Sequence, residues 1–201
     1  DRALLLRELM LFADWYLARH RGIDLSAADR ESLAADFERL LSNNLAQAAV
    51  YVHRDYHSRN LMLLPGERNP GILDFQDAMR GPLAHDIASL LRDAFVSWDE
   101  EREIDWAVRW WDAARRAGLP VAADFGAQWQ AIEWTGLLRH LRVMGIFSRL
   151  EQRDGKPGYA RDLPRFFGYA TKVALRYRPL AALLPLLEPM SGAALQAGFT
   201  F

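Results

Sequence analysis

The sequence predicts a mainly α-helical fold with one small β island, on three observations. Apolar residues recur at three- and four-residue spacing along most of the chain. Between residues 48 and 75 that period gives way to three short apolar runs, "AAVYVH", "NLMLL" and "GILDF", which are of strand length. The last two are separated by "PGERNPG", whose proline, glycine and asparagine suit a tight connection.

Taken in order, Leu5, Leu9, Phe12, Trp15 and Tyr16 place an amphipathic helix over residues 1–20. Ser26 is the N-cap of a second helix over about 27–46, since its hydroxyl can accept from a first-turn amide. The three strands follow. Past Pro82 the helical period returns over about 83–97, 100–117, 124–150 and 162–177, with a short apolar tail near 179–188. Pro120, Pro157, Pro164, Pro179 and Pro185 break these segments.

Composition narrows the function. The 201 residues include no cysteine, which excludes disulfides, thiolate metal sites and a cysteine nucleophile. The apolar start, "DRALLLRELMLFADWYLARH", carries Arg2, Arg7, Glu8, Asp14 and Arg19, so it is neither a signal sequence nor a membrane span. A soluble cytoplasmic protein is expected. The net charge of -1 conceals a basic stretch, because ten bases face four acids between residues 126 and 180. Solvated helix faces would account for that stretch, and so would a pocket for an anion. No nucleic-acid-binding motif accompanies it, and no nucleic-acid partner is expected.

The unusual polar residues gather in the β island. "HRDYHSRN" supplies Asp55 and Asn60, and Asp74 follows in "ILDFQDA". Two carboxylates and an amide oxygen at strand ends form an oxygen-only set of the kind that suits Mg²⁺ beside phosphate oxygens. Two other readings use the same residues. His53, Asp55 and His57 would share one face of a strand as zinc ligands, and Asp55 and Asp74 would serve as turn residues bonding their own backbone.

"HRDYHSRN", "ILDFQDA" and "GPLAHDIASLLRD" together resemble the H-x-D-x-x-x-x-N, D-F/W-x-x-A and G-x-x-x-x-D-[IL]-A series of the aminoglycoside phosphotransferase and choline kinase group, which shares the protein-kinase-like fold. "LLRDAFVSW", "RHLRVMGIFSRL" and "RDGKPGYARDLPRFFGY" are further similar to that group's sugar kinases of bacterial cell-wall recycling, which phosphorylate the anomeric hydroxyl of N-acetylmuramate and N-acetylglucosamine. The similarity runs from residue 1 to about 178.

The resemblance implies a catalytic loop at 53–60 and a metal motif at 73–78. Asp55 would be the catalytic carboxylate, with Asn60 and Asp74 holding Mg²⁺ against the phosphates of ATP. Asp86 would brace the loop through its backbone, and His53 would anchor it. Where related enzymes often place a lysine two residues after the catalytic aspartate, this chain has His57, so the balancing cation is expected at Arg59 or Arg54. Gln76 replaces the glycine of the D-F-G motif, which favours a small-molecule kinase.

One part of the pattern is absent. The fold uses a glycine-rich loop and a strand lysine well before the catalytic loop, whereas only 52 residues precede His53 and no lysine precedes Lys156. The expectation is therefore that residues 1–201 are the C-terminal lobe of a longer kinase whose own N-terminal lobe is its partner.

For the acceptor, the Arg-rich helices after residue 125 suit an anionic sugar better than a polycationic drug, and arginine's planar fork matches a carboxylate. Candidate contacts are Arg139, His140, Arg142 and Gln76, with Asp77 on a sugar hydroxyl; the bland alternative is packing between helices or a solvated face. Trp98, Trp106, Trp110, Trp111, Trp129 and Trp134 could stack on a sugar, though their spacing also suits a core. Two rival functions are carried: an aminoglycoside or other small-metabolite phosphotransferase, and a non-catalytic pseudokinase or binding module.

Overall fold

The computed structural model describes residues 1–66, 68–156 and 158–187. Glu67 of the predicted connection, Pro157, and the tail from Glu188 on lie outside the described residues. The elements are α1 (Arg2–Leu11), a π-helical segment (Phe12–His20), α2 (Ala27–Ala46), β1 (Ala49–Val52), β2 (Leu61–Met62), β3 (Gly71–Ile72), β4 (Met79–Pro82), α3 (His85–Leu91), α4 (Glu100–Arg116), α5 (Phe125–Gln152) and α6 (Leu163–Arg176). Short 3₁₀ turns cover Ser58–Asn60, Tyr159–Asp162, Arg178–Leu183 and Pro185–Leu187. The mainly helical expectation with a small β island holds. Among the described residues no helix is long and apolar enough to cross a membrane.

The chain divides into two compact units. One combines Asp1–Leu41 with the chain from Leu137 on. Asp1 caps α1 by accepting from the Leu4 amide at 2.8 Å, and Leu9, Phe12 and Leu17 are buried. The continuous helix predicted over 1–20 changes its winding at Phe12. At that point α5 approaches so closely that a Cβ on Gly145 would lie 2.3 Å from the Leu11 carbonyl carbon. Ser26 caps α2 as predicted, its Oγ accepting from the Asp29 amide at 3.1 Å while Asp29 Oδ2 accepts from the Ser26 amide at 3.1 Å. Phe166, Ala170 and Val173 of α6 complete the buried face. Beyond Arg176 the predicted apolar tail is a pair of 3₁₀ turns, for Pro179 and Pro185 each remove a backbone donor.

The other unit is Ser42–Gly136. Its core packs Ala84, Ile87, Ala88 and Leu91 of α3 against Ala107 of α4 and Trp129 and Ile132 of α5. Asp99 caps α4 through the Arg102 amide at 2.9 Å, and Asp124 accepts from Ala127 at the start of α5 at 2.8 Å. The β island is two antiparallel pairs: β1 with β4, in the register Ala49↔Pro82 to Val52↔Met79, and β2 with β3, Leu61↔Ile72. Strand β4 escapes a pattern search because "MRGP" has no apolar alternation; pairing with β1 makes it a strand. Gly81 is needed there, since a Cβ would stand 2.7 Å from Val52 Cγ2. The helix expected over 83–97 stops at Leu91, because Asp93 turns its carboxylate onto the backbone amides of Ser58 and Phe95.

Candidate active site

Strand β1 ends in buried Val52 and delivers the chain into the polar loop. Arg54 then takes φ +77°, a left-handed conformation that costs a non-glycine residue about 1–2 kcal/mol. Asp86, in the first turn of α3, holds this kink: its Oδ2 accepts from the His53 amide at 2.7 Å and its Oδ1 from the Arg54 amide at 3.1 Å. Burial raises the Asp86 pKa, but the His85 hydrogen bond, the His53 amide, the His85 charge and the Arg54 amide together outweigh it, so the group titrates below the usual carboxylate range.

His53 ties the loop to the strand that follows. Its Nε2 lies 2.8 Å from the Leu73 carbonyl oxygen, and its ring meets Tyr56 edge-on at 5.8 Å. Leu73 immediately precedes Asp74, which has φ +63°. The Leu73 amide in turn donates to the Asn60 carbonyl at 2.9 Å. Asn60 closes the group: its Nδ2 donates to the Asp55 carbonyl at 2.9 Å and reaches Asp74 Oδ2 at 3.5 Å. Asp74 Oδ1 accepts from Gln76 Nε2 at 3.0 Å.

Asp55, Asn60 and Asp74 are therefore brought to one place. The carboxylates of Asp55 and Asp74 are exposed, and among the described residues neither is ion-paired. The donors on Asp74 are neutral amides, so its negative charge is uncompensated. With Asn60 donating through nitrogen, its amide oxygen remains an acceptor. This donor set is all oxygen and fits Mg²⁺, which needs one or two protein carboxylates and keeps waters. The zinc reading finds no support, since no group of three His, Cys, Asp or Glu side chains able to hold a metal gathers among the described residues.

The cation candidates differ in setting. The Arg59 guanidinium lies 3.5 Å over the Phe95 ring, and His57 meets the same ring edge-on at 5.4 Å. Arg54 is half-buried beside them in sequence. Asp77 is exposed, and Gln76 is committed to Asp74. Arg139, His140 and Arg142 belong to the other unit. Arg139 is buried there; His140 stacks on Tyr169 at 4.9 Å; Arg142 lies 3.5 Å from Glu8 Oε1. Most of the tryptophans are core or its margin, with Trp129 and Trp134 buried and Trp111 donating to the Ala122 carbonyl at 2.8 Å. Trp98 is exposed and meets Trp106 edge-on at 5.1 Å.

Sequence reasoning missed Asp93 and Arg92. Arg92 is fully buried, 2.7 Å from Glu133 Oε1 and 3.6 Å from Glu103 Oε2, both carboxylates being buried too. An Arg-Asp pair directly after an apolar helix, in "LLRDAF", was the available signal: charges there have to be paired.

Residues 2–125 match the phosphotransferase enzyme family. The chain is 48% identical over its whole length to the N-acetylmuramate/N-acetylglucosamine kinase of Neisseria meningitidis, covering 60% of that protein. Proteins of the same name from Pseudomonas putida and Pseudomonas aeruginosa are each 46% identical over 98% and 94% of the chain, which covers 56% of each. The chain thus spans between half and two thirds of the length of these relatives.

Proposed function

Because the chain belongs to the phosphotransferase enzyme family, we propose that it is the C-terminal, acceptor-binding lobe of an ATP-dependent sugar kinase acting on the anomeric hydroxyl of N-acetylmuramate and N-acetylglucosamine in peptidoglycan recycling. The observation that carries this reading is the reach of Asn60 to both the Asp55 carbonyl and the Asp74 carboxylate. The names of the relatives supply the acceptor. They do not favour the drug-modifying or pseudokinase alternatives.

In this mechanism the sugar hydroxyl oxygen attacks the γ-phosphorus of ATP in line. The bond to the β,γ-bridging oxygen breaks, ADP leaves, and the hydroxyl proton passes to Asp55. Asp55 suits that role, being exposed and, among the described residues, held through its carbonyl. Asn60 and Asp74 would hold Mg²⁺, which when bound neutralises charge on the phosphates. Arg59, with Arg54 and His57, balances charge on the transferring group. Asp86 and His53 keep the loop in its kinked form. Gln76 and Asp77, which share the unit of the loop, are proposed as acceptor contacts. The cover over the ATP phosphates is assigned to an N-terminal lobe of the longer protein, and the reaction to the cytoplasm, where ATP is available.

The test is ATP-to-ADP turnover by the full-length protein with Mg²⁺, offering N-acetylmuramate, N-acetylglucosamine and kanamycin in parallel. Turnover on the acetylated sugars is expected, falling about 10²- to 10⁴-fold in Asp55→Asn. Turnover confined to kanamycin would overturn the reading.

A further inference from the structure

Asp86 braces the catalytic loop at its beginning, at His53 and Arg54. The end of the loop, where His57 to Asn60 turn toward β2, needs a hold of its own. The structure supplies one that the motif pattern does not include. The Asp93 carboxylate, 1% exposed, accepts from the Ser58 amide through Oδ2 at 2.6 Å and from the Phe95 amide through Oδ1 at 2.6 Å. One carboxylate thus joins the loop to the segment after α3. Phe95, placed by the same bond, lies under the Arg59 guanidinium at 3.5 Å and against the edge of His57 at 5.4 Å. Three consecutive loop residues are therefore seated on two residues of one short segment.

That segment is itself anchored. Arg92 is held in the core by Glu133 and Glu103, so the neighbouring Asp93 starts from a fixed backbone. A buried carboxylate with both oxygens on backbone amides is held at a definite distance and angle. Charge-assisted bonds of this kind are short and directional.

Building on the sugar-kinase reading, we propose that Asp93 is a positioning residue for phosphoryl transfer: with Phe95 it forms a second latch that fixes Ser58 and aims Arg59 at the transferring phosphoryl group. Asp93 touches no reacting atom. It acts by holding the loop's exit in the one arrangement that places Asp55, Asn60 and the Arg59 cation together. Loosening it lowers the rate of the chemical step and leaves the sugar bound as before.

The experiment compares wild type, Asp93→Asn, Asp93→Ala and Phe95→Leu in the full-length protein by two measurements. The first is hydrogen–deuterium exchange by mass spectrometry on peptides covering residues 56–62 and, as a control, α4. Faster exchange around Ser58 in both Asp93 variants, by at least about tenfold and with α4 unchanged, is expected; equal exchange in the loop overturns the latch whatever the enzyme's substrate. The second is steady-state kinetics on both acetylated sugars. The expected kcat order is wild type, then Asn, then Ala, with sugar KM within about twofold, since only transition-state interactions are lost. Phe95→Leu is expected to lower kcat as well, through Arg59. A fall in kcat that only tracks the fraction of folded protein, or a rise in KM with kcat unchanged, would overturn the positioning role. Failure of the wild type on both sugars would sink the sugar-kinase reading, while the exchange data would still decide the latch.

Discussion

Replacing Asp86 by asparagine puts the kinked loop to a quantitative test. The carboxylate accepts from two backbone amides, at 2.7 Å and 3.1 Å. A net hydrogen bond to a charged group is worth about 1.5–3 kcal/mol. Asparagine keeps one acceptor oxygen but turns an NH₂ toward the second amide, so one bond is lost and two donors face each other. The expected cost is about 2–4 kcal/mol, which includes letting Arg54 leave its left-handed conformation. For a chain of this size that lowers the midpoint of thermal unfolding by roughly 4–16 °C. The pH dependence has a definite sign. The folded pKa of Asp86 lies below the ordinary value of 3.8, so its contribution is complete above that value and disappears as pH falls through the depressed one. The gap between wild type and variant should be flat from neutral pH to about 5 and close below 3.8. Scanning calorimetry at several pH values measures it, with turnover measured alongside. A variant melting within about 1 °C of wild type at pH 7, with unchanged kcat, would refute the idea that these two bonds hold the loop.

Gly145→Ala pits two effects of opposite sign. Helix propensity favours alanine by about 1 kcal/mol, but the new Cβ would meet the Leu11 backbone at 2.3 Å and 2.4 Å, and overpacking costs about 1–3 kcal/mol or more; a net loss is expected in a urea unfolding midpoint. Arg92→Met removes the cation between two buried glutamates, and about 3–5 kcal/mol should be lost by the same assay. Asp74→Asn changes an exposed side chain and should leave folding intact, while the Mg²⁺ concentration for half-maximal rate rises at least about tenfold in a metal titration.

The helices were legible because their signals are local. The Ser26 cap and each apolar stripe draw on residues within one or two turns along one helix, and apart from the helix expected over 83–97, which stops at Leu91, the helices appear close to their expected bounds. Strand β4 was not legible, because Arg80 and Gly81 become strand only through β1, some thirty residues away. The change of winding at Phe12 likewise lies beside a distant residue, Gly145, which packs on the Leu11 backbone. Within the candidate site, Asp55, Asn60 and Asp74 were singled out by residue type and spacing, and Asn60 reaches both the Asp55 carbonyl and the Asp74 carboxylate. Asp93 was overlooked because its partners are backbone amides, which every residue carries and no motif records. The Arg-rich pattern of α5 left solvated faces, packing between helices and an anion pocket all open, and His140 lies stacked among aromatic rings; a periodic sequence does not distinguish a helix face turned to solvent from one turned inward.

The unit that contains the 53–60 loop is one uninterrupted stretch, Ser42–Gly136, whereas the other is assembled from chain on either side of it. A ribosome making this stretch therefore completes the loop-bearing unit while α1 and most of α2 still lack the later segment of their own unit. Until Leu137 and its successors emerge, the apolar faces of α1 and α2, with Leu9, Phe12, Leu33 and Phe37, have no final partner to cover them. During that interval the nascent chain carries apolar surface that its later segment will bury. Chaperone demand should then fall on α1 and α2, and truncations downstream of Gly136 should aggregate through them, although the 53–60 loop is whole.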